Sequence, residues 1–501
     1  MNSSFFLDNF GVSVPNIAIS GISSDSRLVR PGHVFVATHA AKKYVPEAIA
    51  NGAAVIVTED NDLLGKCPVA CVYVENARLA LAKFCREFYP NVPEVLLAVT
   101  GTNGKSSSVI FATQMLSALG IPSASMGTLG VCVPPLLGVA PASNVVNAAP
   151  QFDPPPLTTY DPISLHKILP QLCCFGVRCA AIEATSHGLH QFRLDGLRFD
   201  AAALTNVTQD HLDYHGDMDA YIAAKTRLFR DLVKDGGTAV LALNSPACFF
   251  EVCNRRGMRV ITYSCGESPA ADIVAYNIKL NDNSISFDVR VFAQNFENIT
   301  YHGIGAFQVE NLLCALCLII VAYPNVPVHD AVAAIAHTSP VPGRMEMAAR
   351  YNGASIFVDF CHTPDALSKV LTDLKKIAHK SLVVVFGCGG ERDKGKRAQM
   401  GQVAASLASR VIVTDDNPRF EDAQAIRWDV LSGISNLNHI VEIPGRREAI
   451  SRAIADLGEE DILLVSGRGH ESCQIINGDR IPFSDSAYVR EVVEGMSLCQ
   501  V

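Results

Sequence analysis

Charge is what this chain has least of. Only 18% of its 501 residues are Asp, Glu, Lys or Arg, the net charge is -9, and no basic block occurs, which excludes the positive footprint that a nucleic-acid-binding surface requires. Long apolar runs are missing too. The longest helix-like one, Leu312 to Ala322, has about half the length that a bilayer-spanning helix needs; it reads as a core helix, and no membrane association is expected. Met1 to Asp8 carries neither a basic stretch nor an apolar core of signal-peptide length, so the expectation is a soluble, cytoplasmic protein. Among the 16 cysteines no second C-x-x-C pair stands at zinc-site spacing. Scattered through apolar segments such as Cys173-Cys174 and Cys314 to Cys317, they read as reduced core thiols. Gly387-Cys388-Gly389-Gly390 lacks the G-x-G-x-x-G spacing of a dinucleotide fingerprint, which argues against a nicotinamide enzyme.

What is present is apolar sequence enough, at 49%, for several buried cores, and length enough for about three domains. The most informative stretch is Gly101-Thr102-Asn103-Gly104-Lys105-Ser106-Ser107, which follows the apolar run Val95 to Val99 and precedes a helical pattern read from Val109 onward. A buried strand that delivers a glycine-containing turn with Lys and Ser is the layout of a phosphate-binding loop. Its amides face phosphate oxygens, the Lys105 ammonium adds charge, and the Ser106 hydroxyl reaches a magnesium ion. The expected ligand is a nucleoside triphosphate.

Short apolar runs (Val34 to Ala37, Ala53 to Val57, Cys71 to Val74) alternate with helical stretches before this loop and suggest a small α/β unit. After it, Ala180 to Glu183 and Ala201 to Asn206 read as buried strands with polar carboxyl ends, where open α/β sheets bind ligands. Val131 to Pro156 has no period and reads as a loop. Turn formers at Val341 to Arg344 mark a break, beyond which Ser355 to Asp359, Leu382 to Phe386, Val411 to Thr414 and Ile462 to Val465 alternate with helices as in a Rossmann-like sheet. The fold class is therefore α/β in three domains: residues 1–90, a central phosphate-loop domain over 91–340 with a mostly parallel sheet, and a Rossmann-like domain over 341–501.

Polar clusters follow both central strands: Glu183 to Gly188, and Asp210-His211-Leu212-Asp213-Tyr214-His215-Gly216. With these the sequence resembles the Mur ligases, ATP-dependent amide-forming enzymes of peptidoglycan synthesis. Among them it is most similar to the members that add diaminopimelate to UDP-N-acetylmuramoyl-L-alanyl-D-glutamate. The resemblance is carried by Thr100 to Ser107, Glu183 to Arg193, Asp210 to Met218, Tyr221 to Lys225, Pro342 to Glu346, Asp359 to Leu367, Gly387 to Arg397, Asp416 to Arg419 and Gly467 to Glu471, in order over nearly the whole chain.

The resemblance implies an N-terminal uridine-nucleotide domain, a central ATPase domain and a closing amino-acid domain in a monomeric enzyme whose partners are small molecules. It implies phosphoryl transfer from ATP to a carboxylate, then attack of an amine on the acyl phosphate. Lys105 and the loop amides would hold the β- and γ-phosphates, Ser106 and Glu183 one Mg2+, and His211 a second. Lys225 would be carbamylated (N6-carboxylysine) and act as a further metal ligand; read from the sequence alone it is a solvated helix lysine. Asn311, Arg344, Asp359 and His362 would frame ATP. Thr158, Thr159, Thr185, Gln191 and Arg193 would line the UDP-sugar dipeptide pocket, with Ser24 and Ser26 beneath the uridine. Arg392, Asp416, Asn417, Pro418, Arg419, Gly467 and Glu471 would hold diaminopimelate. Here Arg419 and Arg392 clamp the distal carboxylate that lysine lacks, and Glu471 accepts from the distal ammonium.

The chain departs from the family pattern at Leu157, Tyr160, Gln308, Cys361 and Arg468, and in the short segment Thr38 to Tyr44. Folylpolyglutamate synthase is the competing enzyme class. It lacks a unit equivalent to Ser20 to Val74 and the Asp416 to Arg419 loop. A non-catalytic UDP-sugar-binding scaffold would have no need of Lys105, Glu183, His211 and Lys225, and all four are present.

Overall fold

The computed structural model describes residues 18–136 and 157–498, apart from 267, 269 and 282. Met1 to Asp8 and most of the irregular segment over Val131 to Pro156 lie outside the described residues. Three parallel-rich sheets organise the rest. The first has four parallel strands in chain order, Gly21–Ser23, His33–Ala37, Val55–Thr58 and Ala70–Tyr73. Its continuous apolar runs are what a sheet covered on both faces requires. The helix Ala77–Phe88 covers one face through Ala80, Leu81 and Phe84 and is capped by Asn76, whose side chain accepts from the Leu79 N–H at 2.9 Å.

The second sheet has ten strands. Its centre runs Phe199–Leu204, Val95–Thr100, Cys179–Glu183, all parallel, so that Val95–Thr100 has its sequence-distant strands on either side. This is a topological switch point, where successive connections leave in opposite directions and open a crevice at the carboxyl ends. One edge finishes in the antiparallel pair Ile285–Val291 and Gln294–Tyr301. Helices Lys105–Ala118 and Phe307–Ala322 pack on one face and are buried along most of their length. The apolar run expected to be a core helix is therefore one.

The third sheet has six strands in the order Glu346–Tyr351, Ala354–Asp359, Ile462–Ser466, Leu382–Phe386, Arg410–Val413, Ile440–Glu442, parallel beyond the first antiparallel pair. The carboxyl ends of its four central strands release the segments beginning at Phe360, Gly467, Gly387 and Thr414. These face the carboxyl ends of the second sheet across a single cleft. No helix among the described residues is long and apolar enough to cross a membrane, and their cysteines are free thiols.

Candidate active site

The phosphate loop leaves strand Val95–Thr100 through Gly101 at φ 146° and enters its helix through Gly104 at φ 86°. Both are conformations that side chains avoid, and both backbones are approached closely. A Cβ on Gly101 would meet the Thr205 hydroxyl, and one on Gly104 the Asn311 side-chain oxygen. The helix begins at Lys105 rather than at Val109. The polar residues Lys105, Ser106 and Ser107, read from sequence as loop, form its first turn, whose free N–H groups are the anion-binding end. Lys105 folds over the loop, donating to the carbonyls of Gly101 at 2.9 Å and Thr102 at 2.7 Å. Asn311 is held by Gln308, whose side-chain oxygen accepts from the Asn311 amide at 2.9 Å, which gives that departure a role.

Lys225 is not the solvated lysine of the bare sequence reading. It is 1% exposed, because Tyr221, Ala224 and Lys225 lie on the buried side of helix Met218–Arg227. Its Nζ donates to the Gly101 carbonyl at 2.8 Å and lies 4.4 Å from the centre of the Tyr221 ring. Burial, reinforced by the Lys105 charge, holds its ammonium well below the usual lysine range. An amine that holds its proton less tightly is more readily available as a nucleophile.

Glu183 ends strand Cys179–Glu183 and is 1% exposed. Its carboxylate accepts from the Thr128 N–H at 2.9 Å and the Thr128 hydroxyl at 3.2 Å, and among the described residues no cation pairs with it. A buried carboxylate with spare oxygen lone pairs beside Ser106 fits a hard cation such as magnesium. Ser106 Oγ in turn lies 3.3 Å from the Arg344 guanidinium. His211 occupies a left-handed backbone position at φ 56°, and burial pushes its imidazole down to about 3 against the pull of Asp210, the neutral state that a metal-binding imidazole requires. No group of three His, Cys, Asp or Glu side chains among the described residues could hold a metal unaided.

Thr158, Thr159, Thr185, Gln191 and Arg193 form one hydrogen-bonded band next to Glu183. The Thr128 and Thr158 hydroxyl oxygens lie 3.1 Å apart, and Thr159 donates to the Glu183 carbonyl at 2.8 Å and shares a 2.9 Å contact with Thr185. Arg193 donates to the Thr159 carbonyl at 2.8 Å and to Gln191 Oε1 at 2.6 Å. Ser24 and Ser26 stand apart, just beyond the first strand of the four-stranded sheet, Ser24 in the bend after Ser23 and Ser26 at the start of the short helix Ser26–Leu28. Ser26 is buried, and its hydroxyl donates to Glu47 at 2.6 Å.

The opposite wall comes from the third sheet. Asp359 accepts from the Met345 N–H at 2.6 Å and the Cys361 N–H at 2.7 Å, which fixes the turn carrying His362, and the Arg344 guanidinium stacks 4.2 Å from the Phe360 ring centre. The Asn417 amide donates to Glu471 at 2.7 Å, and Arg419, at φ 54°, donates to the Gly390 carbonyl at 2.6 Å. Arg419 and Arg392 flank Gly389, and burial first, then Arg392, lowers the Arg419 proton affinity. Two guanidiniums side by side call for an anion between them. Behind Glu471, Arg468 and Arg446 are fully buried on Asp485, at 3.5 and 2.7 Å.

The resulting cleft has a volume of about 300 Å³ and is lined by Thr102 to Ser107, Thr158, Glu183, Thr185, His211, Asn311, Arg344, Asp359, His362, Arg392, Asp416, Asn417, Arg419, Gly467 and Glu471. Thr159, Gln191, Arg193, Pro418 and Lys225 sit behind or beside this lining. Thr128 and Asp210 are site residues that the sequence left without an assigned role. Thr128 follows the buried strand Ser123–Gly127 as Glu183 ends its own, so a polar residue at a strand's carboxyl end was the available signal.

The fold and cleft define a phosphate-loop enzyme whose site is completed by the carboxyl ends of a second parallel sheet. Residues 99–319 match the model of the Mur ligase middle domain, and residues 343–469 that of the Mur ligase, glutamate ligase domain. The UDP-N-acetylmuramoyl-L-alanyl-D-glutamate--2,6-diaminopimelate ligase of Rickettsia prowazekii (strain Madrid E) is 38% identical over 95% of this chain and 96% of its own. Its namesake from Bradyrhizobium diazoefficiens is 39% identical over 94% of each. A solved structure of a ligase with this name, 31% identical, superposes with a TM-score of 0.66 over 98% of this chain and 99% of its own. The chain belongs to the Mur ligase family.

Proposed function

We propose that the chain is an ATP-dependent amide ligase joining meso-diaminopimelate to UDP-N-acetylmuramoyl-L-alanyl-D-glutamate. The observation that carries this reading is one cleft with two chemically distinct walls, a phosphate loop with Lys105 on one and the arginine pair Arg392 and Arg419 on the other. Residues 1–90, 91–340 and 341–501 are taken as the uridine-nucleotide, ATP and amino-acid domains of a cytoplasmic monomer.

The reaction follows from charge and position. The terminal carboxylate of the UDP-dipeptide, held along Thr158, Thr159, Thr185, Gln191 and Arg193 with Ser24 and Ser26 toward the uridine, attacks the γ-phosphorus of ATP. ADP leaves and an acyl phosphate forms. The diaminopimelate amine then attacks the acyl carbon, phosphate departs with the bonding electrons, and the amine proton goes to solvent or phosphate. Phosphoryl transfer needs little beyond alignment and charge compensation. Lys105, released from its two carbonyls, and the amides of Gly104 to Ser107 would face the β- and γ-phosphates, while the Asn103 amide is taken by the Asn206 side-chain oxygen at 3.0 Å. Arg344 adds a guanidinium beside Ser106, while Asn311, Asp359 and His362 fix the nucleotide across the cleft.

Ser106 and Glu183 would hold one magnesium ion and His211 a second, and these would supply neutralisation of the phosphoryl charge. Lys225 would support that role as a carbamate: its amine, once deprotonated, would attack carbon dioxide, release a proton to solvent and offer anionic oxygens to the ion. Arg392 and Arg419 take the distal carboxylate of the amino acid, Glu471 its distal ammonium, and Asp416, Asn417, Pro418 and Gly467 shape that pocket.

The test is a product assay with ATP, UDP-N-acetylmuramoyl-L-alanyl-D-glutamate and either meso-diaminopimelate or L-lysine. Tripeptide with diaminopimelate alone is expected. Equal use of lysine, or no ligation with either, refutes the reading.

A further inference from the structure

Two loops from different sheets meet around one carboxylate that the reaction above does not use. Asp210, 4% exposed, ends the polar stretch after strand Phe199–Leu204, one residue before His211. Its Oδ1 lies 3.4 Å from Nζ of Lys396, itself 5% exposed in the first turn of helix Gly395–Leu407. Its Oδ2 lies 3.4 Å from Nε2 of His211 and 3.6 Å from Nε2 of His362. Next to Asp210, the Gln209 amide donates to Asp393 at 3.2 Å.

We propose that Asp210 is a positioning residue for the amino-acid substrate, acting through Lys396 and His362 to hold the 387–396 loop, and with it Arg392, against the phosphate side of the cleft. The inference rests on the function proposed above for Arg392. A buried ion pair contributes little net stability once desolvation is counted, but it is strict about geometry, because either charge left alone in the interior is heavily penalised. Asp210 and Lys396 both line the cleft, so that strictness falls on the distance between its walls. Lys396 stands four residues beyond Arg392, too close along the chain for one to be misplaced without the other. Reacting groups displaced by about 1 Å lose roughly 10²-fold in rate, so the pair sets whether the amine reaches the acyl carbon.

Asp210→Asn, Lys396→Met, the double variant and the conservative Lys396→Arg test this. Hydrogen exchange of the 387–407 segment reads the tether without substrate, melting curves read folding, and steady-state kinetics read its use. Each single variant is expected to melt cooperatively, to expose the segment to faster exchange, and to raise KM for diaminopimelate on the order of tenfold or more, with a smaller rise in KM for ATP. The double variant is expected to be no worse than the poorer single one, since the two act as one unit, and Lys396→Arg to keep most of the wild-type KM. Unchanged exchange in well-folded variants overturns the tether. So do single effects that multiply in the double variant, or equal rises in both KM values. If the segment loosens as expected but the wild-type enzyme takes lysine as readily as diaminopimelate, the tether stands and the substrate assignment falls.

Discussion

Replacing Lys225 by methionine separates the chemistry of the site from the stability of the fold. The substitution keeps a stem of similar length against Tyr221 and removes the amine. The hydrogen bond to the Gly101 carbonyl is lost, a cost of about 1 kcal/mol. That carbonyl is not orphaned, because Lys105 Nζ still donates to it at 2.9 Å. Against this stands the strain of holding an amine where burial and Lys105 lower its proton affinity; each tenfold loss of affinity relative to the unfolded chain is about 1.4 kcal/mol. The folded value lies below the unfolded 10.5, so in the window between them the unfolded chain binds the extra proton and wild-type stability rises with pH. The penalty is in force at neutral pH and gone near the unfolded value.

Lys225→Met is therefore expected to match or exceed the wild-type Tm at pH 7 in carbonate-free buffer, and to lose that advantage as the pH approaches the unfolded lysine value. Turnover should drop by about 10²–10³ or more, as for loss of a group that stabilises transition-state charge. Thermal melting across pH, phosphate release, and labelled-bicarbonate incorporation into the wild-type protein alone are the assays. A variant destabilised by some 3 kcal/mol equally at both ends of the pH range, or one that ligates normally, would refute the reasoning.

Arg419→Ala should abolish most diaminopimelate turnover and leave ATP binding by calorimetry unchanged, because the guanidinium lies in the third-sheet wall proposed for the amino acid and not in the phosphate-loop wall; wild-type preference over lysine should reach about 10⁴. Gly104→Ala, strained at φ 86° and pressed on Asn311, should cost about 1–3 kcal/mol in denaturant melts and abolish nucleotide binding. Glu183→Gln retains an acceptor for Thr128 but no charge for a cation, so adding Mg2+ should tighten ATP binding in the wild type and not in the variant; equal tightening in both would remove Glu183 from the metal site. Asp485→Ala strands Arg446 and Arg468 in the interior and should cost about 3–5 kcal/mol, measured by urea unfolding.

The parallel strands around the cleft were legible because continuous apolar runs ending in polar residues have few other readings. Val95 to Val99, Ala180 to Glu183 and Leu382 to Phe386 fall inside observed strands. The edge hairpin Ile285–Val291 with Gln294–Tyr301 went unread, although Ile285-Ser286-Phe287-Asp288-Val289 alternates as a half-buried strand does. Lys225 shows why a one-dimensional reading of charge fails. A lysine on a helix is solvated on average, and only its register with Tyr221 and Ala224 against the phosphate loop buries it. Ion pairs such as Arg446 with Asp485, 39 residues apart, leave no local signal at all. Ser26 was named for the uridine side, but its hydroxyl is occupied by Glu47, a partner that sequence alone does not single out.

The distance along the chain between partners at the cleft has a consequence for how the enzyme comes into being. Asn103 meets Asp365 across 262 residues, Ser106 meets Arg344 across 238, and Asp210 meets Lys396 across 186. Contacts of such separation form late, after the local units have folded, and a ribosome delivers the phosphate loop well before the segments that face it. A nascent or truncated chain thus holds half a nucleotide site and none of the acceptor wall. The competence to spend ATP arrives together with the means of using it.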